Sequence, residues 1–207
     1  MHGLRQIDLG RLVFVPFCVA LVILNTMSLL DPDKGHTPLQ VVSTVAALAF
    51  YTVLTVMYLR RAAPTRTDGH LGRGVVAGIA TFSGFVIPLV APGGAGQAVV
   101  AVGSAFVAVG ITLSVWALLH LRTNISVVPQ SRQLASSGPY RFFRHPLYVF
   151  EYISAIGLAI VNGGGWGWAV VLVLAVLQVL RARWEEALLH EQVEGYSAYA
   201  ARTRGFS

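Results

Sequence analysis

Charged residues are scarce in this sequence. Only 12% of its 207 residues are Asp, Glu, Lys or Arg, whereas 55% are hydrophobic, and the mean hydropathy is +0.66. Soluble globular domains carry about 25% charged residues, so about half of the usual charge is missing. This composition excludes an ordinary water-soluble domain and indicates that much of the chain faces lipid.

Cysteine is almost absent. The one cysteine, Cys18, lies in an apolar run, which excludes an intramolecular disulfide, a CxxC motif and a thiolate metal cluster. We expect Cys18 to be a small packed or lipid-facing side chain, and we expect no metal site. The chemistry must therefore come from other polar residues.

Long apolar runs, in contrast, are abundant. A membrane-spanning helix needs about 20 apolar residues, and four uncharged runs meet this need: 12–30, 39–59, 74–91 and 98–119. Two shorter runs, 147–161 and 166–180, flank a Gly-rich tetrapeptide that favours a sharp reversal. We therefore expect an all-α polytopic membrane protein of about six transmembrane segments. The last two would form a short helical hairpin, followed by an amphipathic C-terminal helix.

The basic residues are distributed unevenly between the links. Of the 15 Lys and Arg residues, 14 fall on the side of the two termini, and only Lys34 falls on the other. Because basic residues mark the cytoplasmic side, both termini are expected in the cytoplasm of a bacterial-type inner membrane. The net charge of +6 then reflects topology, and a nucleic-acid partner is not expected.

Polar residues that can do chemistry are concentrated after residue 119. We therefore divide the chain into a four-span scaffold, 1–119, and a catalytic, cofactor-binding region, 120–207. In the second region, Ser-Gly-Pro-Tyr at 137–140 is typical of a turn. His145-Pro146 predicts the start of a helix, since proline fits the first helical turn.

Glu151 is a charged residue within the apolar run that follows this helix start. Helical spacing places it on one face with Arg144 and Tyr148. A charged group at membrane depth costs typically about 3 kcal/mol, so it needs a polar partner or cavity. Two explanations stay open: Glu151 pairs with Arg144 or a backbone donor and anchors the hairpin, or it faces a substrate or cofactor pocket.

Several motifs occur together in this region. They are Gln-Ser-Arg-Gln-Leu at 130–134, the turn at 137–140, Arg-His-Pro-Leu-Tyr at 144–148, and Arg181 followed by Glu185, Glu186 and Leu188, with Tyr196 and Tyr199 behind them. Over residues 119–200 the sequence resembles the isoprenylcysteine carboxyl methyltransferase family and its phospholipid methyltransferase relatives.

The resemblance implies S-adenosylmethionine as the cofactor, bound on the cytosolic side. It also implies that Arg181 points to the acceptor. The family usually has a small residue where this chain has Glu151, which leaves a prenylcysteine substrate open and makes Glu151 a second catalytic candidate. The implied cofactor-binding residues are Gln130, Arg132, Gln133, Leu134, Ala135, Tyr140, His145, Pro146, Leu147, Tyr148 and Glu185.

The expected function is methyl transfer to a lipophilic acceptor inside the membrane, such as an isoprenoid or lipid-linked molecule. The expected partners are that small-molecule or lipidated substrate and membrane lipids, with no obligate protein partner. Two alternatives remain: an NADPH-dependent membrane reductase of the sterol-reductase type, and a non-enzymatic membrane protein.

Overall fold

The computed structural model of the chain describes residues 9–60, 66–67, 71–90, 95–121, 130–131 and 134–206. These residues are almost entirely helical, as the sequence predicted. The helices are α1 (Leu9–Leu30), α2 (Pro38–Arg60), α3 (Leu71–Ser83), α4 (Ile87–Val90), α5 (Gln97–Leu121), α6 (Pro146–Asn162), α7 (Gly165–Gln192) and α8 (Tyr196–Ala200). Two-residue strands, β1 (Arg66–Thr67) and β2 (Gln130–Ser131), form one antiparallel pair.

Four described helical segments are long and apolar enough to cross a membrane. They are Leu12–Leu30, Pro38–Arg60, Gln97–Leu121 and Gly165–Gln192; Val75–Val90 and Pro146–Asn162 are apolar but shorter. Large apolar side chains such as Leu24 and Leu172 lie on the outer surface, 59% and 66% exposed. In water such a surface would be costly, so these helices indicate a membrane protein.

The third apolar run is interrupted. The sequence predicted one membrane-spanning helix over 74–91. In the structure, α3 ends at Ser83, a 3-10 turn follows at Gly84–Val86, and α4 starts at Ile87. Proline has no backbone N–H, so Pro88 cannot donate the helical bond one turn back. The backbone tightens just before it.

Helix α7 is longer than the sequence predicted. The apolar run ends at residue 180, yet the helix continues without a break to Gln192 and is 28 residues long. The expected amphipathic C-terminal helix is therefore the second half of α7. The polar residues do not end the helix because Arg181 and Glu186 are buried against the rest of the bundle. The chain leaves the helix at Val193 and turns at Gly195, whose φ is +80°.

Helices α5 and α6 pack with their backbones in close contact. A Cβ added to Gly157 would lie 2.6 Å from the carbonyl oxygen of Gly103 and 2.7 Å from the amide nitrogen of Val107. Small residues allow such an approach between helices in a membrane. This packing fixes α6, the helix that carries Tyr148 and Glu151.

Candidate functional site

The start of α6 brings the predicted motif residues to one end of the bundle. Pro146 occupies the first helical turn and is fully buried, and His145 stands immediately before it. The preceding turn begins at Gly138, whose φ is +58°. Tyr199 of α8 donates a hydrogen bond from its hydroxyl to the carbonyl oxygen of Tyr140 at 2.8 Å. Burial raises the pKa of Tyr199 to about 12, so this hydroxyl stays protonated and keeps donating.

Glu186 of α7 connects the two residues that precede α6. Its Oε2 accepts a hydrogen bond from Nη1 of Arg144 at 2.7 Å, and its Oε1 lies 3.0 Å from Nε2 of His145. The Arg144 and Glu186 side chains are only 13% and 11% exposed. Arg144 therefore pairs with Glu186 of α7. This differs from the pairing of Arg144 with Glu151 that one explanation of the sequence proposed.

Glu185 forms a second group on the next position of α7. Its Oε1 accepts a hydrogen bond from the Tyr148 hydroxyl at 2.6 Å and from Nε of Arg181 at 3.3 Å. The Arg181 guanidinium also lies 4.7 Å from the centre of the Tyr148 ring and donates to Oγ1 of Thr81 at 3.3 Å. The Tyr148 ring is nearly parallel to that of His145, with ring centres 5.4 Å apart. These side chains form one contiguous group, which we call the charged cluster: Glu185, Tyr148, Arg181 and His145.

Glu151 lies one helical turn further along α6. Its Oε2 accepts a hydrogen bond from Nε2 of Gln178 at 3.2 Å, which again connects α6 to α7. Gln178 is only 4% exposed. The sequence did not predict this glutamine, although it is the polar residue within an otherwise apolar run, and that interruption was the available signal.

An apolar cavity of about 300 Å³ begins at Glu151 and Gln178. Helices α1 to α7 all contribute to its wall, which is rich in aromatic rings. The aromatic residues are Phe14, Phe17, Phe50, Tyr51 and Phe85. The charged cluster and the cavity therefore adjoin each other along the α6–α7 pair.

The end of the chain folds back onto the charged cluster. The backbone of Arg204 exchanges hydrogen bonds with Arg144 and Phe142, at 2.8 and 2.9 Å. Gly205 is so close that an added Cβ would lie 2.7 Å from the Arg144 guanidinium. The Phe206 ring lies roughly parallel to His145, with ring centres 6.0 Å apart. Nothing in the sequence motifs pointed to this segment, because its contacts are mainly made by the backbone.

The other residues predicted to bind the cofactor lie in different parts of the structure or outside the described residues. Tyr140 is buried and packs with Ala135, Leu147 and other apolar residues; Leu134 packs against Tyr196 and Tyr199. Gln130 is in β2, and its side chain lies outside the described residues, as do Arg132 and Gln133. The sequence motifs did not identify Glu186 as a site residue of its own, although it directly follows Glu185 in the sequence. Among the residues that the structure describes, no three His, Cys, Asp or Glu side chains are grouped to hold a metal ion.

Comparison with known proteins finds a family model that is similar to part of the chain. Residues 98–194 match the phospholipid methyltransferase family, which confirms the resemblance expected from the sequence motifs and supports a membrane methyltransferase. A nickel-cobalt-cadmium resistance protein, NccN, of Alcaligenes xylosoxydans xylosoxydans is 28% identical over 102 residues. That alignment covers 47% of this chain and 46% of NccN, so the chain spans about half the length of this relative.

Proposed function

From the family match over residues 98–194, we propose that the protein transfers the methyl group of S-adenosylmethionine to a lipophilic acceptor within the membrane. The observation that carries the proposal is the charged cluster formed by the start of α6 and the later part of α7, directly beside an apolar cavity. A water-soluble methyl donor and a lipophilic acceptor need two such adjoining sites. The same match favours methyl transfer over an NADPH-dependent reductase or a non-enzymatic role.

The residues of the cluster fit this cofactor. When bound, S-adenosylmethionine supplies a methyl group on a cationic sulfur, together with an adenine ring, ribose hydroxyls and an amino-acid end. Glu185 can accept hydrogen bonds from hydroxyl or ammonium groups, and its Oε2 has only a 3.8 Å contact to His145 among the described residues. The His145 and Tyr148 rings lie beside this carboxylate and fix its surroundings.

The chain's contribution to catalysis is then mainly orientation. Methyl transfer is a displacement in which the attacking atom, the methyl carbon and the sulfur must be in line, so fixed positions lower the barrier. Arg181 is held by Glu185 and Thr81 between the cluster and the cavity, and Glu151 stands at the cavity end. We assign Arg181 and Glu151 to the acceptor side, and His145, Tyr148 and Glu185 to the cofactor side.

We also propose the finer topology. Six membrane segments, with α3–α4 as the third and the α6–α7 hairpin as the last two, place both termini and the cluster in the cytoplasm. The uneven distribution of the basic residues supports this arrangement. The cofactor then enters from the cytoplasm, and the acceptor enters from the bilayer.

The direct test is calorimetric binding of S-adenosylhomocysteine to the purified full chain and to Glu185→Gln and His145→Ala variants. Loss of a charge-assisted hydrogen bond costs typically about 1.5–3 kcal/mol, so we expect affinity to fall roughly 10- to 150-fold in the Glu185 variant. Glu191→Ala, an exposed carboxylate on the same helix, is the control and should bind normally. No binding by the unmodified protein, or equal binding by all variants, would contradict the proposal.

A further inference from the structure

The polar end of the cavity presents unused hydrogen-bond acceptors. Gln178 donates from Nε2 to Glu151, and its Oε1 is buried without a hydrogen-bond partner among the described residues. An ionised carboxylate only accepts, so the amide nitrogen must face Glu151 and the carbonyl oxygen must point elsewhere. A buried carbonyl without a partner is unfavourable. A bound molecule that donates a hydrogen bond would remove this cost.

The cavity hydroxyls on α5 and α6 are used within their own helices. Ser114 donates to the carbonyl oxygen of Gly110 at 2.9 Å, and Ser154 donates to that of Phe150 at 3.2 Å. The Tyr51 hydroxyl can donate or accept. The unused hydrogen-bonding capacity next to Glu151 is therefore mainly that of acceptors.

The charges around this end are also negative on balance. Glu151 and Glu185 carry two negative charges, and Arg181 carries one positive charge that is engaged by Glu185 and by the Tyr148 ring. None of the described residues that line the cavity is Lys or Arg. A carboxylate or phosphate placed there would meet the charge of Glu151 in a low-dielectric setting, whereas a donor or cation would be attracted.

The cavity size limits the apolar part of the ligand. A volume of about 300 Å³ is at the small end of the range for small-molecule pockets. The walls are mostly apolar and include four Phe and four Leu side chains, so they accept a hydrocarbon chain or a compact ring system.

We propose that Glu151 and Gln178 are specificity-determining residues that select a lipophile whose head group donates hydrogen bonds, an amine or an alcohol. Carboxylate and phosphate head groups are selected against. This inference rests on the proposed function in one respect, because the molecule bound there would be the methyl acceptor.

Equilibrium binding of matched twelve-carbon probes tests the inference. Tritiated dodecylamine, dodecanol and dodecanoate are titrated onto the purified full chain in neutral detergent near pH 7, without cofactor. We expect dodecylamine or dodecanol to bind at least roughly tenfold more tightly than dodecanoate, a factor equal to about 1.4 kcal/mol. Tighter binding of the amine than of the alcohol assigns selection to the charge of Glu151. Equal binding assigns it to hydrogen bonding, and both results support the proposal.

Variants locate the preference. Glu151→Gln should reduce the amine-over-carboxylate preference at least about tenfold, and Gln178→Leu should weaken both donor probes. Glu191→Ala, which removes an exposed carboxylate outside the cavity, is the control and should keep the preference. Melting temperatures show which variants are folded.

Equal or tighter binding of dodecanoate by the unmodified chain would overturn the inference, and this measurement needs no variant. An unchanged preference in folded Glu151→Gln would overturn it as well. Because the probes are measured without cofactor, this result is separate from the S-adenosylhomocysteine titration. Cofactor binding together with a preference for carboxylate would reject only the head-group inference.

Discussion

The Arg144–Glu186 ion pair gives the sharpest stability prediction. The two side chains meet at 2.7 Å and are 13% and 11% exposed, so the pair is shielded from water. Removing one partner from a buried pair costs about 3–5 kcal/mol, whereas an exposed pair contributes about 0–1 kcal/mol. Glu186 also contacts His145 at 3.0 Å. Because a little solvent reaches the pair, we expect Glu186→Ala to lower the free energy of unfolding by about 3 kcal/mol.

A double-mutant cycle separates the pair from its surroundings. Arg144 also donates to the carbonyl oxygen of Thr203 at 3.4 Å, so its single variant loses more than the ion pair. Combining Arg144→Ala with Glu186→Ala should cost less than the two single changes together, by about 1.5–2 kcal/mol. Tryptophan fluorescence during denaturation in mixed micelles measures each value.

The exposed Glu191 on the same helix is the control, and Glu191→Ala should change stability by less than about 0.5 kcal/mol. If Glu186→Ala behaved like Glu191→Ala, or if the coupling fell below about 0.5 kcal/mol, the ion pair would not hold the α6 start to α7. The argument from burial would then be refuted.

The remaining predictions concern the end of the chain and the topology. Gly205→Ala should weaken S-adenosylhomocysteine binding about tenfold, or 1.4 kcal/mol, because the added Cβ would lie 2.7 Å from the Arg144 guanidinium. The control is Gly165→Ala, whose added Cβ enters open space and should leave the affinity unchanged. Equal calorimetric affinities of the two variants would contradict this prediction. In a cysteine-free background, Gly35→Cys should react with an impermeant thiol reagent from outside the cell, and Ser136→Cys only after permeabilisation. The reverse labelling pattern would overturn the orientation.

The positions of the helices could be predicted where the local sequence determines them. Uncharged runs predicted the apolar helices, and proline at position 146 predicted the start of α6, because proline is compatible with a first turn and with few other helical positions. The end of α7 was not predictable from polarity. Arg181 and Glu186 are polar residues that lie inside the bundle, each with a partner from a different element. Polarity marks a helix end only where the polar groups need water as their partner.

The sequence motifs contain several members of the charged cluster but do not reveal their pairings. The structure brings His145, Tyr148 and Glu185 of these motifs together, yet helical spacing suggested Arg144 with Glu151. The observed partners are 42 and 27 residues away, at Glu186 and Gln178. Such pairings depend on the register between α6 and α7, which the two-residue turn between the helices sets. Residues at similar distances from that turn face each other, and helical spacing within α6 carries no such information.

Two adjacent carboxylates on one helix point about 100° apart, and Glu185 and Glu186 have largely different partners. Glu186 uses both oxygens within the protein, one for Arg144 and one for His145. Glu185 uses Oε1 for Tyr148 and Arg181, and its Oε2 has only the 3.8 Å contact to His145 among the described residues. Its side chain is also more exposed, at 20% against 11%. Glu186 is therefore suited to fix the start of α6, and Glu185 keeps an oxygen available for a ligand.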